Sequence, residues 1–312
     1  MIELKKTKLN LMNPIKLYLL ISILLILPSC KIQSADTARA VLSDGIPEGA
    51  VPFEYEYKLK KFILIPGTLN DSIPLKYWLE TGFGRIAFSD SLASDFESKE
   101  FKNGFSKVQK TMKVRIGGLE RAYGDSVDAN YFDKNNLALR FTGAVGIIPW
   151  QFFDKKIIEI SFSKQYIREL SSTKNLSGYD SVKIEIQNGL LGIPVAISVQ
   201  GKKIREFVMI DTGCNGNINF SNSIASKYGI KSDSAFIQKS HLFDGIQKDF
   251  AFRSDTIQVG KYFVTEKEYV SFSQDKHRPY PFSGLIGTGT LEKFDVVLDL
   301  KNYYLYLKPI KK

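Results

Sequence analysis

Val208-Met209-Ile210-Asp211-Thr212-Gly213-Cys214-Asn215-Gly216-Asn217-Ile218-Asn219-Phe220-Ser221-Asn222-Ser223-Ile224-Ala225-Ser226 decides the reading of this chain. The run from Ile204 to Ile210 becomes apolar as it approaches an Asp-Thr-Gly step. Glycine adopts backbone conformations that strain other residues, so Gly213 marks a tight turn that presents Asp211. Ser221 is placed to N-cap a short helix from Asn222 to Lys227.

The same pattern occurs earlier. Tyr77-Trp78-Leu79-Glu80-Thr81-Gly82-Phe83-Gly84-Arg85-Ile86-Ala87-Phe88-Ser89 aligns Glu80 with Asp211, Thr81 with Thr212 and Gly82 with Gly213. After one gap, Ile86 meets Ile218, Phe88 meets Phe220, and Ser89 to Ser94 meets Ser221 to Ser226, with a matching short helix expected. Downstream, Gly143-Ala144-Val145-Gly146 pairs with Gly284-Leu285-Ile286-Gly287, and each leads into Phe-Asp and an apolar run. Self-similarity of this extent implies two copies of one structural unit. The copies are expected at 51–170 and 180–312, with the polar stretch 171–179 as linker. Alternation such as Lys183-Ile184-Glu185-Ile186-Gln187, and the bulky run Tyr303 to Leu307, predict short strands closing into β lobes.

An apolar strand ending in Asp-Thr-Gly, then a helix, then an apolar-apolar-Gly step resembles the aspartic proteases of the pepsin and retropepsin type. The resemblance implies an all-β chain of two similar aspartic-protease-like β-barrel lobes with short helices. It implies a cleft between them and one catalytic carboxyl from each, here Asp211 and Glu80. Thr212, Gly213, Thr81 and Gly82 would support the pair, each threonine bonding across to the opposing turn. Ala144-Val145-Gly146 and Leu285-Ile286-Gly287 would brace the turns. The substrate would be a peptide or protein, cut without metal or organic cofactor. Two carboxyls about 3 Å apart share one proton. The ionised member activates water, and the protonated member bonds the peptide carbonyl.

Glu80 departs from the family's aspartate. Its extra methylene carries the carboxyl roughly 1.5 Å further, and a misplacement of about 1 Å can cost on the order of a hundredfold in rate. Three readings therefore stand together. One is an aspartic-type peptidase using Glu80 and Asp211. The second is an impaired protease-like module that binds peptide or envelope ligands. The third is a homodimer that joins two Asp211 turns, against which a monomer pairs its lobes within one chain. Phe83 and Cys214 replace small residues, and Phe83 is bulky enough to crowd the site. Arg85 either lowers the Glu80 pKa or points to solvent. The flap that covers such clefts is sought at Gly117, Gly118 and Tyr123 in the first lobe, and at Phe243 and Gly245 in the second.

The first 29 residues read as a signal: Lys5, Lys6 and Lys8, then the apolar Leu19 to Leu27, too short to span a bilayer comfortably. Leu27-Pro28-Ser29-Cys30 resembles a bacterial lipobox, which implies lipid on Cys30, a membrane anchor and an envelope location, periplasmic or at the cell surface. Residues 30–50 read as a flexible tether. Cys214 is the remaining thiol, so no intrachain disulfide is expected, and His241 and His277 are too few for a zinc site. The net charge is +10; four lysines and Glu3 leave with the signal, so +7 remains. That charge is spread along the chain, so no nucleic-acid partner is expected. An anionic membrane face suits it better.

Overall fold

Gln200 (φ 50°) and Gly201 (φ 68°) turn the chain between two ten-residue strands, Leu190–Val199 and Lys202–Asp211. Such a two-residue left-handed turn matches the twist of an antiparallel pair. The second strand ends on Asp211 itself.

The computed structural model describes residues 45–57, 61–89, 92, 98–102, 105–108, 112–123, 127–132, 142–242, 245–264, 268–273 and 281–311. The chain divides into 1–44, outside the described residues, and one compact unit, Gly45–Lys312, which holds the strands and the core named below. Its first half contains β1 (Val51–Pro52), β2 (Leu64–Leu69), β3 (Ile73–Leu79), β4 (Ala87–Ser89), β5 (Ser98–Lys102) and β6 (Phe105–Val108). It continues with β7 (Met112–Ile116), β8 (Leu119–Tyr123), β9 (Val127–Phe132), β10 (Gly146–Ile148), β11 (Ile157–Ser161) and β12 (Tyr166–Leu170). The second half begins with β13 (Asp180–Lys183), β14 (Glu185–Gln187), β15 (Leu190–Val199), β16 (Lys202–Asp211), β17 (Ile218–Ser221) and β18 (Phe236–Leu242). There follow β19 (Gly245–Arg253), β20 (Thr256–Val259), β21 (Tyr262–Val264), β22 (Tyr269–Ser273), β23 (Gly284–Gly287), β24 (Phe294–Asp299) and β25 (Tyr304–Pro309).

The repeat in sequence is a repeat in topology. The first half follows the path β5-β6-β9-β4-β10-β3-β2-β7-β8, and the second follows β18-β19-β22-β17-β23-β16-β15-β20-β21, with β14 beside β15. Each strand of one path has its counterpart at the same place in the other. A third sheet, β1-β12-β11-β24-β25-β13, takes three strands from each half. Its centre is the antiparallel pair β11–β24, with Ile157 opposite Asp299 and Ile160 opposite Val296. The polar stretch between β12 and β13 carries no strand.

One core cluster runs through both halves, joining Ile63, Leu79 and Ile148 to Ile193, Ile210 and Ile286. Helix α1 (Asn222–Tyr228) covers part of it with Ile224 and Ala225. Gly229 ends α1 in the left-handed conformation (φ 64°), a position that favours glycine. Ser221 stands at the N-cap, but its hydroxyl pairs with Ser223 Oγ (2.6 Å) and makes no capping bond. The matching first-lobe helix falls outside the described residues. Helix α2 (Thr288–Leu291) follows β23, and a 3₁₀ turn, Trp150–Phe153, follows β10.

These two short helices brace the halves reciprocally. Trp150 Nε1 and Gln151 Nε2 donate to Gly189 O in the second half (2.8 and 2.9 Å). Thr288 Oγ1 donates to Lys61 O in the first, and Glu292 accepts from Lys61 Nζ and Tyr55 Oη, each at 2.7 Å.

Candidate active site

β3 and β16 are built alike because they do the same work. Each lies between an antiparallel neighbour, β2 or β15, and a parallel one, β10 or β23. Side chains alternate across a strand. Leu79 and Ile210 therefore enter the shared core, and Trp78 and Met209 take the other face with Glu80 and Asp211. The burial pattern of β16, exposed at Lys202 and closed from Val208 to Asp211, carries its carboxyl out of solvent.

The two turns are locked to each other by their threonines. Thr81 N–H donates to Thr212 Oγ1 (3.1 Å), and Thr212 N–H donates to Thr81 Oγ1 (3.0 Å). Thr81 Oγ1 donates to Ile210 O (2.7 Å), and Thr212 Oγ1 donates to Leu79 O (2.8 Å). Both threonines are buried, so these four bonds satisfy groups that water cannot reach.

This lock brings the carboxyls together. Glu80 (6% exposed) hydrogen-bonds Asp211 (9% exposed). Gly82 N–H donates to Glu80 Oε1 and Gly213 N–H to Asp211 Oδ1, both at 2.9 Å. Gly213 N–H also faces the Glu80 carboxyl. Burial pushes the Glu80 pKa well above the ordinary carboxylate range; the Asp211 charge and the bond to Asp211 push it the same way. The glycine N–H groups oppose that rise without cancelling it. The two carboxyls therefore titrate as a pair, with the Glu80 pKa raised.

The bracing segment of the first half differs from expectation by three residues. In β10, Ile147 lies opposite Trp78 and Ile148 opposite Leu79; in β23, Leu285 lies opposite Met209 and Ile286 opposite Ile210. Gly146 thus corresponds to Gly284, and Pro149 takes the place of Gly287. The surroundings agree. A Cβ on Gly146 would come 2.7 Å from the Tyr77 ring and 3.4 Å from the Phe88 ring, and one on Gly284 would come 2.8 Å from Phe220 Cα. The expected equivalence of Phe88 with Phe220 holds, since Phe88 pairs with Gly146 and Phe220 with Gly284.

A small apolar patch lies beside each carboxyl on the same sheet face. Near Glu80 it comprises Leu64, Trp78, Ala87 and Ile147, with Phe62 and Ala144. Near Asp211 it comprises Met209, Leu285 and Phe282. Phe282 lies over Gly192, the counterpart of Leu64, where a Cβ would come within 2.2 Å of its ring. Phe83 packs against the first patch and Cys214 against the second, so Phe83 turns into the wall of the site. Arg85 is exposed.

The flap candidates divide. By topology the counterpart of the β18–β19 hairpin is β5–β6. The Gly117-Gly118 turn joins β7 to β8, and its counterpart joins β20 to β21 at Gly260. A Cβ on Gly117 would come 2.4 Å from Val51 of β1, and one on Gly260 would come 2.6 Å from Asp180 of β13. Both turns therefore abut the outer strands of the shared sheet. Gly117, Gly118 and Tyr123, which is paired opposite Met112, form no arm matching that of Gly245. The tips of the two matching hairpins, 103–104 and 243–244 with Phe243, lie outside the described residues, as does Cys30.

No family model matches the sequence. No curated protein matches it either. Among solved structures, the chain is similar to that in the crystal structure of a retropepsin-like aspartic protease from Rickettsia conorii. The two are 18% identical over 42% of this chain and 89% of that chain, with a TM-score of 0.32. The repeated strand order and the paired turns make this chain an all-β protein of two similar lobes.

Proposed function

We propose that the chain is an aspartic-type peptidase that cuts extended peptides with the Glu80–Asp211 pair. The observation that carries this reading is the pair of buried carboxyls, each held by a glycine N–H on turns interlocked by Thr81 and Thr212. A substrate water would give a proton to Asp211 as its oxygen attacks the scissile carbonyl carbon. The Glu80 proton would pass to the carbonyl oxygen, giving a neutral tetrahedral diol. Collapse of the diol would break the C–N bond. The amine would leave with one proton, and Glu80 would recover the other. The Glu80 methylene is accommodated over Gly213, which favours a working pair over a merely binding cleft. The test is incubation of a peptide library with wild type and Asp211→Asn. Cleavage by wild type alone is expected. Cleavage by neither, with peptide still bound, would leave the binding-module reading.

The same reading places the enzyme at the bacterial envelope, anchored by lipid on Cys30 and working as a monomer. In high salt, which screens any charge-based surface contact, Cys30→Ser is expected to move it from the membrane to the soluble fraction. Retention of the variant at the membrane would remove the anchor from the proposal.

A further inference from the structure

The β18–β19 hairpin has two unlike faces. The inner face carries Ser240, Gln247 and Asp249 into a buried network. The outer face carries Ile237, Lys239, Ile246 and Lys248. Ile237 is 56% exposed and Ile246 63% exposed. Both lysines are exposed, and they stand directly opposite each other in the register. Like charges opposed across a strand pair are destabilising. Neither lysine has an acidic partner among the described residues. The hairpin thus bears an electrostatic cost, flanked by two solvated isoleucines, that no acidic group among the described residues offsets.

The surroundings extend this character. Phe250, on the same outer face, lines a groove with Ile230 and Ala225. Gln200 ties residue 231 to the β15–β16 turn, its amide bonding the Lys231 carbonyl (2.8 Å) and N–H (3.1 Å). Exposed Lys202 and Lys203 follow that turn, and Lys231 is exposed beside it. Asp233 is the acidic residue of this stretch.

We propose that the outer face of the β18–β19 hairpin seats on an anionic phospholipid bilayer. Lysines offset by anionic headgroups, with apolar side chains inserted at the acyl boundary, are how a peripheral surface gains membrane affinity. A symmetric contact with a second copy would bring Lys239 and Lys248 close to their own equivalents. A nucleic acid would use the lysines and leave the isoleucines in water. The proposal rests on the outer face of the hairpin and does not depend on peptidase activity.

The test uses Gly45–Lys312, which contains the core and the three sheets, mixed with sedimenting vesicles. Binding is expected to phosphatidylcholine vesicles containing about a third phosphatidylglycerol, but not to phosphatidylcholine alone, and to weaken with salt. Lys239→Ser with Lys248→Ser is expected to weaken partitioning on the order of thirtyfold, at about 1 kcal/mol per lysine. Ile237→Ser with Ile246→Ser is expected to weaken it with circular dichroism unchanged. Absence of wild-type binding to the anionic vesicles would overturn the proposal, as would equal binding by either variant. So would self-association without vesicles that these substitutions abolish, since it would assign the face to a second copy.

Discussion

Gly213 lies so close beneath Glu80 that a Cβ built on it would come within 2.4 Å of both Cγ and Cδ of that glutamate. The extra methylene that sets glutamate apart from aspartate rests on the opposing turn, in space that glycine alone leaves open. Gly82 stands in the same relation to Asp211, where a Cβ would come 2.7 Å from Cγ. Gly213→Ala is therefore expected to push Glu80 off Asp211. Overpacking of this kind costs about 1–3 kcal/mol, and a shift of about 1 Å can cost on the order of a hundredfold in rate. Thermal unfolding and peptide cleavage read the two effects separately.

Glu80→Asp withdraws the carboxyl from the space over Gly213 and leaves a gap in the pair. Cleavage is expected to fall, by about ten- to a hundredfold on the same positional argument. A rise would mean that the glutamate impairs the site it occupies. Steady-state kinetics on one cleaved peptide decides between these outcomes.

Thr81→Val removes both the acceptor for Thr212 N–H and the donor to Ile210 O. Each buried group left unpaired costs about 1–3 kcal/mol, so a loss on the order of 2–6 kcal/mol is expected in urea unfolding. Thr212→Val should match it, because its bonds to Thr81 N–H and Leu79 O mirror the first set. The double variant should lose less than the sum, since the two side chains serve one network.

Glu80 also sets a pH dependence. Its pKa is raised in the folded protein, so protonated Glu80 contributes stability that is fully present below its unfolded value. That contribution is lost as pH rises through the folded value. Glu80→Gln keeps the shape without the titration. Its stability relative to wild type should therefore rise from acid toward alkaline pH, a trend that denaturant midpoints across this range will show. Identical pH profiles would mean that the Glu80 pKa does not shift on folding.

Asp249 is fully buried on the inner face of β19 and accepts from Asn219, Ser240, Gln247 and Ser273. These donors come from β17, β18, β19 and β22, so one carboxylate pins the hairpin to the sheet. Asp249→Ala strands several buried donors, each at a cost of about 1–3 kcal/mol. Asp249→Asn, which keeps an acceptor, should cost less. Proteolysis within 236–253 should rise with the loss.

Much of this protein was legible before folding was considered, because strand periodicity and turn chemistry are local. The two Thr-Gly turns, the match of Ile86 and Phe88 to Ile218 and Phe220, and the short helix behind Ser221 all rest on neighbours in the chain. The register of β10 does not. Gly143-Ala144-Val145-Gly146 and Gly146-Ile147-Ile148-Pro149 both read as glycine with apolar company. The choice between them is made by backbone pairing with β3 and by the Tyr77 and Phe88 rings, which leave no room for a side chain at Gly146. The hairpin equivalent to β18–β19 is likewise set by strand order, since a Gly-Gly turn looks the same wherever its sheet places it.

The sequence by itself determined that two related β units each present a carboxyl on a tight turn, because that information lies within a few residues of Glu80 and of Asp211. Tertiary structure alone decided that the turns interlock through Thr81 and Thr212 and that Glu80 fits over Gly213. It also decided that burial raises the Glu80 pKa. Those outcomes depend on groups more than a hundred residues apart in the chain, whose separation and solvent exposure exist only once the lobes have closed on each other.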